Sequence, residues 1–225
     1  MLENEQRSSL IEVGSSPGYG DRMSSTSSNS IYGDAEVRRR RTLDAAISLL
    51  DEGGYSALTI RAVAKRAGTS TGLIYQYFVD KQDIFAGLLS ESQLEMADFV
   101  NSLPRDQGLT ALLASMIPEF ARHWARVGRL TTTWRDIEGM AGSERESMLE
   151  LHASVAVYNA ALIRALTEAA AAEGSALLDD PALIHVVLSG LKGLADTIVN
   201  NIAKELSPEH LVNVSARALA RAITE

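Results

Sequence analysis

The 225-residue chain contains no cysteine. That excludes a disulfide framework, a thiolate metal site and a cysteine nucleophile. Its longest apolar runs fall well short of the ~18–20 residues that a bilayer-spanning helix needs, so no membrane association is expected. The opening residues, MLENEQRSSLIEVGSSPGYG, carry early acids and no long apolar stretch. They do not resemble a secretory leader, and a cytoplasmic location is the expectation. No P-loop, dinucleotide fingerprint or Ser-His-Asp pattern is present, so no enzyme with nameable residues is expected, and no cofactor. His123, His152 and His185 fall on three separate predicted helices without a second ligand at helical spacing. No metal site is expected from them. Strand-like alternation and internal repeats are missing too, which leaves an all-α protein.

Charge is present but unevenly placed. The net charge is −8, which by itself argues against nucleic acid. Residues 91–225 hold most of that negative charge, whereas residues 34–90 are slightly basic and cluster Arg38, Arg39, Arg40, Arg41, Arg61, Lys65, Arg66 and Lys81. A basic head on an acidic body is the asymmetry that orients a DNA binder. Residues 1–33 are rich in Ser and Gly and show no period, so a disordered tail is expected there. Residues 34–80 are expected to form one domain and residues 81–225 a second.

Helical periodicity organises the rest. A first helix is predicted from about Ala35 to Glu52, with Leu43, Ala46, Ile47 and Leu50 on one face and Gly53-Gly54 as its stop. The four consecutive arginines at its start have two readings of equal weight, a solvated helix end or a contact with DNA phosphate. A long helix from about Lys81 to Leu103 follows, roughly 34 Å at 1.5 Å per residue. Further helices are predicted over about Thr110–Val127, kinked by Pro118, and over Leu130–Met140 and Ser143–Ala172. The last two run from Asp180 to near Leu206 and from Ser207 to the C-terminus, for about nine in all.

Between the first and the long helix lies LTIRAVAKRAGTSTGLIYQYFVDK, residues 58–81. It reads as two short helices around an Ala67-Gly68-Thr69 turn, the layout of a helix-turn-helix. Thr59 caps the first of them, with Ile60, Val63, Ala64 and Ala67 inward. Ser70 caps the second, leaving its backbone N–H groups open to phosphate, and Ile74 and Phe78 dock it. Thr71, Gly72, Leu73, Tyr75, Gln76 and Tyr77 are left on or near the open face. Thr71 and Gln76 offer hydrogen bonds to base edges or phosphates, and Gly72 permits close backbone approach. Leu73 suits a thymine methyl, while Tyr75, Tyr77 and Lys81 suit phosphates.

Thr59, Arg61, Val63-Ala64, Ala67-Gly68, Ser70, Gly72, Ile74-Tyr75, Tyr77-Phe78 and Lys81 resemble the N-terminal signature of the TetR/AcrR family of helix-turn-helix regulators. Ala45-Ala46, Leu49-Leu50 and Gly54-Tyr55 extend the match, which covers about residues 38–90. Thr69 in place of a valine, and Asp80 in place of Ser or Asn, are small departures. The resemblance implies a three-helix DNA-binding domain followed by a helical ligand-sensing and dimerisation domain. It implies a homodimer on a pseudo-palindromic double-stranded operator, released by a small-molecule effector. DNA contacts then fall on Thr59, Arg61, Thr71, Gly72, Leu73, Tyr75, Gln76, Tyr77 and Lys81, beside the capping Ser70.

For the body, the resemblance places a dimer bundle on the last two helices. Their pattern pairs Leu183, Val187, Leu191, Leu194, Ile198 and Ile202 with Leu211, Val214, Ala218 and Ile223. An effector cavity is expected among Met116, Phe120, His123, Trp124, Trp134, Met148, His152, Asn159 and Leu162, with His152 and Asn159 as polar handles in an apolar wall. The competing expectation for these side chains is plain core. If they fill the body solidly, the chain becomes a DNA-bound architectural or adaptor protein with no small-molecule ligand.

Overall fold

The computed structural model describes residues 27–128 and 145–225, with side chains from residue 34 onward. Among the described residues there are eight α-helices and no strand. They are α1 (Ser27–Ala57), α2 (Ile60–Ala67), α3 (Thr71–Ile74), α4 (Lys81–Ser102), α5 (Leu109–His123), α6 (Glu146–Ala172), α7 (Leu183–Val199) and α8 (Pro208–Ala222), with a π-helical turn over Trp124–Gly128. The helix expected over Leu130–Met140, and Trp134 within it, lie outside the described residues. The chain divides into Met1–Arg38 and Arg39–Glu225. In the first unit Arg38 pairs with Asp34 one helical turn away, at 3.8 Å.

In the main unit the ends of the helices follow local chemistry. Gly54 breaks the helical path of α1 with φ 65°, where expected. The Thr59 hydroxyl accepts from the Ala62 amide and caps α2, and Gly68, at φ 65° and ψ 39°, ends it in the left-handed conformation. The Ser70 hydroxyl accepts from the Leu73 amide to start α3, and the Ser207 hydroxyl accepts from the His210 amide to start α8. Helix α5 has no local side-chain cap, and Glu173, just past the end of α6, accepts from the Leu109 amide instead. Helix α7 is shorter than its pattern predicts. It stops at Val199 rather than near Leu206, because Asn200 and Asn201 end it and Asn201 takes φ 49°. Asparagine tolerates that region because its short amide hydrogen-bonds locally.

Two apolar cores result. One gathers Leu43, Leu50, Leu58, Val63, Ile74 and Phe78 with Ile84, Phe85 and Leu89 of α4 and with Met148 and Leu151 of α6. The other fills the body, centred on Val100, Leu113, Ile117, Leu162, Leu166, Val187 and Leu191. Fully burying a Leu, Ile or Phe contributes ~1.5–3 kcal/mol, so Leu43, Leu58, Ile74 and Phe85, all fully buried, anchor the head strongly. The head's core continues past residue 80 into α4 and α6. These two helices run parallel: Ser147 bonds Asp83 near their starts, and Arg164 bonds Asn101 near their ends.

Gly68→Ala is expected to cost about 1 kcal/mol of unfolding free energy, measured by urea denaturation, because a Cβ disfavours that backbone conformation. The added methyl itself would meet nothing closer than the Arg41 guanidinium at 3.8 Å.

Candidate nucleic-acid interface and interior site

Exposure divides α3 and the turn after it by helical period. Ile74 and Phe78 are buried, and Leu73 and Tyr77 are half-buried. Thr71, Gly72, Tyr75 and Gln76 are open, with Tyr75 58% exposed. Positions i, i+1, i+4 and i+5 share one face of a helix, so the last four form a single open surface. The helix is only four residues long. Beyond Ile74 the chain tightens, with Gln76 and Tyr77 amides donating to the carbonyls three residues back. Tyr77, expected on or near the open face, packs on the head's core and forms its flank. Thr59 and Ser70 are exposed, and their hydroxyls are engaged in caps.

Gly72 has no internal reason to be glycine. A Cβ there would meet only the Ser70 hydroxyl, at an ordinary 3.8 Å. The backbone is therefore left bare toward solvent, as close approach to a phosphate or a base would require.

The cations sort sharply. Of the four-arginine run, Arg39 pairs with Glu91 at 3.2 Å and lies over the Phe78 ring, and Arg40 pairs with Glu91 at 3.0 Å and with Asp44. Arg41 donates to the Ala67 carbonyl at 2.9 Å, pinning the turn. Arg40 and Arg41 remain exposed, as a solvated helix end expects, and all three also make contacts within the chain. Arg66 is held in a two-pronged bridge to Glu52. Lys81 sits over the Tyr55 ring, 4.4 Å from its centroid. Arg61 and Lys65 are exposed and make no ion pair among the described residues, so their charge is open to a polyanion.

At the head's junction with the body, Asp80 caps α4 by accepting from the Gln82 and Asp83 amides. Burial would raise its carboxyl's pKa, but the Arg145 guanidinium at 2.7 Å and these amides outweigh burial and hold it below its ordinary value. Sequence reasoning missed Arg145, because nothing local to it signals a partner 65 residues away.

The candidate effector residues are only partly brought together. Met116 and Leu162 are buried in the body core, and Phe120 packs against it. Met148 instead belongs to the head's core, and His152 is exposed. The helical phase of α6 explains this: Met148, Leu151, Ser154 and Tyr158 turn inward, which rotates His152 out. His152 is thus not the buried polar handle expected of it. Asn159 differs: its Oδ1 is buried with no hydrogen-bond partner among the described residues. The Tyr158 hydroxyl and the Trp124 Nε1 share that condition. Such atoms are uncommon in interiors. Burial raises the Tyr158 phenol's pKa. It depresses that of His123 to about 4, and the ring accepts or donates a hydrogen bond with the Ser92 hydroxyl at 3.0 Å. Gly128 lies so close to the Trp124 ring that a Cβ there would collide with it. Among the described residues no group of three potential metal-ligating side chains converges.

Elsewhere in the body, an apolar cavity of about 570 Å³ is lined by Pro118, Ala121, Ala125, Ile198, Val199 and Val212 among others. None of the expected effector residues among the described ones lines it.

A model of the bacterial regulatory proteins of the tetR family matches residues 43–88, the stretch that contains α2, α3 and their docking surfaces. Residues 43–88 thus carry a DNA-binding domain of the tetR type. The curated regulator BetI of Escherichia coli strain K12 is 26% identical over 189 residues, spanning 80% of this chain and 96% of BetI. The repressor KstR of Rhodococcus jostii strain RHA1 is 43% identical over 53 residues, 24% of this chain and 25% of KstR. In structure, the regulator FadR of Bacillus subtilis, solved with stearoyl-CoA, superposes with a TM-score of 0.55 at 22% identity, over 82% of this chain and 98% of that one. At that identity the likeness establishes the fold alone. No described helix is long and apolar enough to cross a membrane.

Two outcomes follow from this geometry. Gly72→Ala is expected to leave thermal stability unchanged or slightly raised, since glycine in a helix costs up to ~1 kcal/mol against alanine, while weakening DNA retention in a gel-shift assay. His123 is neutral in the folded chain, so the unfolded chain binds more protons between pH 6.5 and about 4. Stability should therefore fall as the pH drops through that window, and His123→Gln should flatten that part of a stability-versus-pH curve.

Proposed function

We propose that this chain is a one-component repressor that binds a pseudo-palindromic operator as a cytoplasmic homodimer and lets go when a small, largely apolar molecule enters its body. Residues 34–80 serve as the DNA-binding domain and residues 81–225 as the sensing and dimerisation domain, with residues 1–33 as a tail. The observation that carries the DNA half is the open surface of Thr71, Gly72, Tyr75 and Gln76 beside the unpaired Arg61. Thr59, Ser70, Leu73, Tyr77 and Lys81 flank it.

The sensing half rests on two separate features of the body: polar atoms stranded in an apolar interior, at Trp124, Tyr158 and Asn159, and an apolar cavity lined by Pro118, Ala121, Ile198 and Val212 among others. An acyl chain is one ligand class that such a lining accepts, in keeping with the stearoyl-CoA held by the FadR neighbour. Met116 and Leu162 lie in the body core, with Phe120 packed against it.

For the dimer, the inward set Leu183, Val187 and Leu191 is already buried within one chain. The paired apolar stripe expected to meet a partner is thus largely internal packing. Part of it stays open: Val214 and Ala218 on α8 are exposed, as are Val186, Ser189 and Gly193 at helical spacing on α7, with Val186 48% exposed. A Cβ on Gly193 would touch nothing. Small residues there allow two helices of a partner to approach closely.

Footprinting on DNA from around the chain's own gene tests the reading. Arg61→Ala and Tyr75→Ala should each weaken protection by about tenfold, as loss of a good base or phosphate contact does, without changing the sedimentation of the dimer. Wild-type protection by both variants would refute the assigned surface. On the sensing side, stearoyl-CoA at a hundredfold excess over its dissociation constant would stabilise the fold by ~2.7 kcal/mol in a thermal-shift assay. No shift with any acyl-CoA from short to long chain would remove that ligand class.

A further inference from the structure

The corner between α3 and α4 is held from the body rather than by the head alone. Asp83 is buried, and its carboxylate reaches in two directions. One oxygen accepts from the Val79 amide at 2.8 Å, and the other accepts from the Ser147 hydroxyl at 2.7 Å. Arg145 reaches across to Asp80 at 2.7 Å and to Asp83 at 3.6 Å. Arg145 makes no side-chain cap on its own helix, so its guanidinium works on this corner. Directly below, Met148 and Leu151 enter the head's apolar core beside Phe85. Residues 145–151 of the first turns of α6 therefore grip residues 78–85 by charge, hydrogen bond and packing at once.

We propose that Arg145 and Ser147 are positioning residues for DNA recognition, holding the Phe78–Asp83 corner, and with it α3, at a fixed angle to the body. This rests on the DNA-binding reading of α3. Helix α4 is then not the sole mechanical link between body and reader. Helix α6, parallel to it and carrying Tyr158 and Asn159 further along, is a second rod that ends on the reader itself. A shift of α6 would act on Asp80 and Asp83 without first bending α4. Two discrete arrangements of such a corner are the kind of element through which distant sites couple.

The absence of cysteine makes a direct measurement possible. Spin labels at Ser56→Cys at the end of α1 and Ala172→Cys at the end of α6 report the head-to-body distance within one chain, once diluted with unlabelled protein. Both positions are exposed and outside the proposed interface. In the otherwise native chain a single narrow distance distribution is expected. Arg145→Ala should broaden or displace it, and Arg145→Lys should restore it. Ser147→Ala keeps every charge and should give a smaller change of the same kind, so the test survives if Arg145→Ala fails to fold. Affinity for a DNA fragment that the unaltered chain selects from random sequence should weaken roughly three- to tenfold in Arg145→Ala. An unchanged distribution in both Arg145→Ala and Ser147→Ala, even with a lowered melting temperature, would overturn the proposal, as would failure of Arg145→Lys to restore the native distance. If the chain selects no DNA at all, it is the reading of α3 that fails, and the distance measurement still decides whether the corner is held from α6.

Discussion

The reader's orientation depends on one shared apolar core. Phe85 and Ile84 on α4 lie among Leu43, Leu58, Ile74 and Phe78 of the head and beside Met148 and Leu151 of α6. A close-packed interior resists continuous deformation and moves between discrete arrangements. The angle at which α3 presents Thr71, Gly72, Tyr75 and Gln76 is thus set jointly by helices of the head and of the body. Tyr55 meets Phe85 edge to face, with ring centroids 5.4 Å apart, and ties the end of α1 into the same cluster.

Electrostatics then divides its labour around that core. Arg39, Arg40, Arg41 and Arg66 are spent on internal partners, each fastening one loop or helix to another. Among the described residues of α2 and α3, Arg61 and Lys65 make no ion pair, and both lie on α2 next to the proposed reading surface. A net charge of −8 therefore does not oppose DNA binding. The acids lie mainly in the body, and screening within about 8–10 Å at physiological salt keeps them from governing the head.

The body shows the opposite economy. Its interior is apolar enough to strip His123 of its proton and to strand the polar atoms of Trp124, Tyr158 and Asn159. Leaving a buried donor or acceptor unmade costs ~1–3 kcal/mol. On the proposed sensing reading, a ligand that satisfies them would recover that energy as binding.

The helix-turn-helix was legible residue by residue. Caps at Thr59, Ser70, Asp80 and Ser207, the left-handed Gly68 and the inward Ile74 and Phe78 are local properties, set by side chains within four positions of one another. Helical periodicity likewise determined that the chain is all-α and where most helices begin. What it could not convey was which of two similar faces meets a neighbour. His152 and Asn159 looked equivalent, and the phase of α6 turned one to solvent and left the other buried. Leu183, Val187 and Leu191 looked like a partner's surface, and they were taken up by the chain's own core. The arginine run looked solvated or DNA-facing, and contacts 26 to 52 residues away claimed it. Local sequence sets helix identity and ends because those energies are short-ranged. Facing and pairing come from packing between distant segments, and so only the tertiary structure decided them.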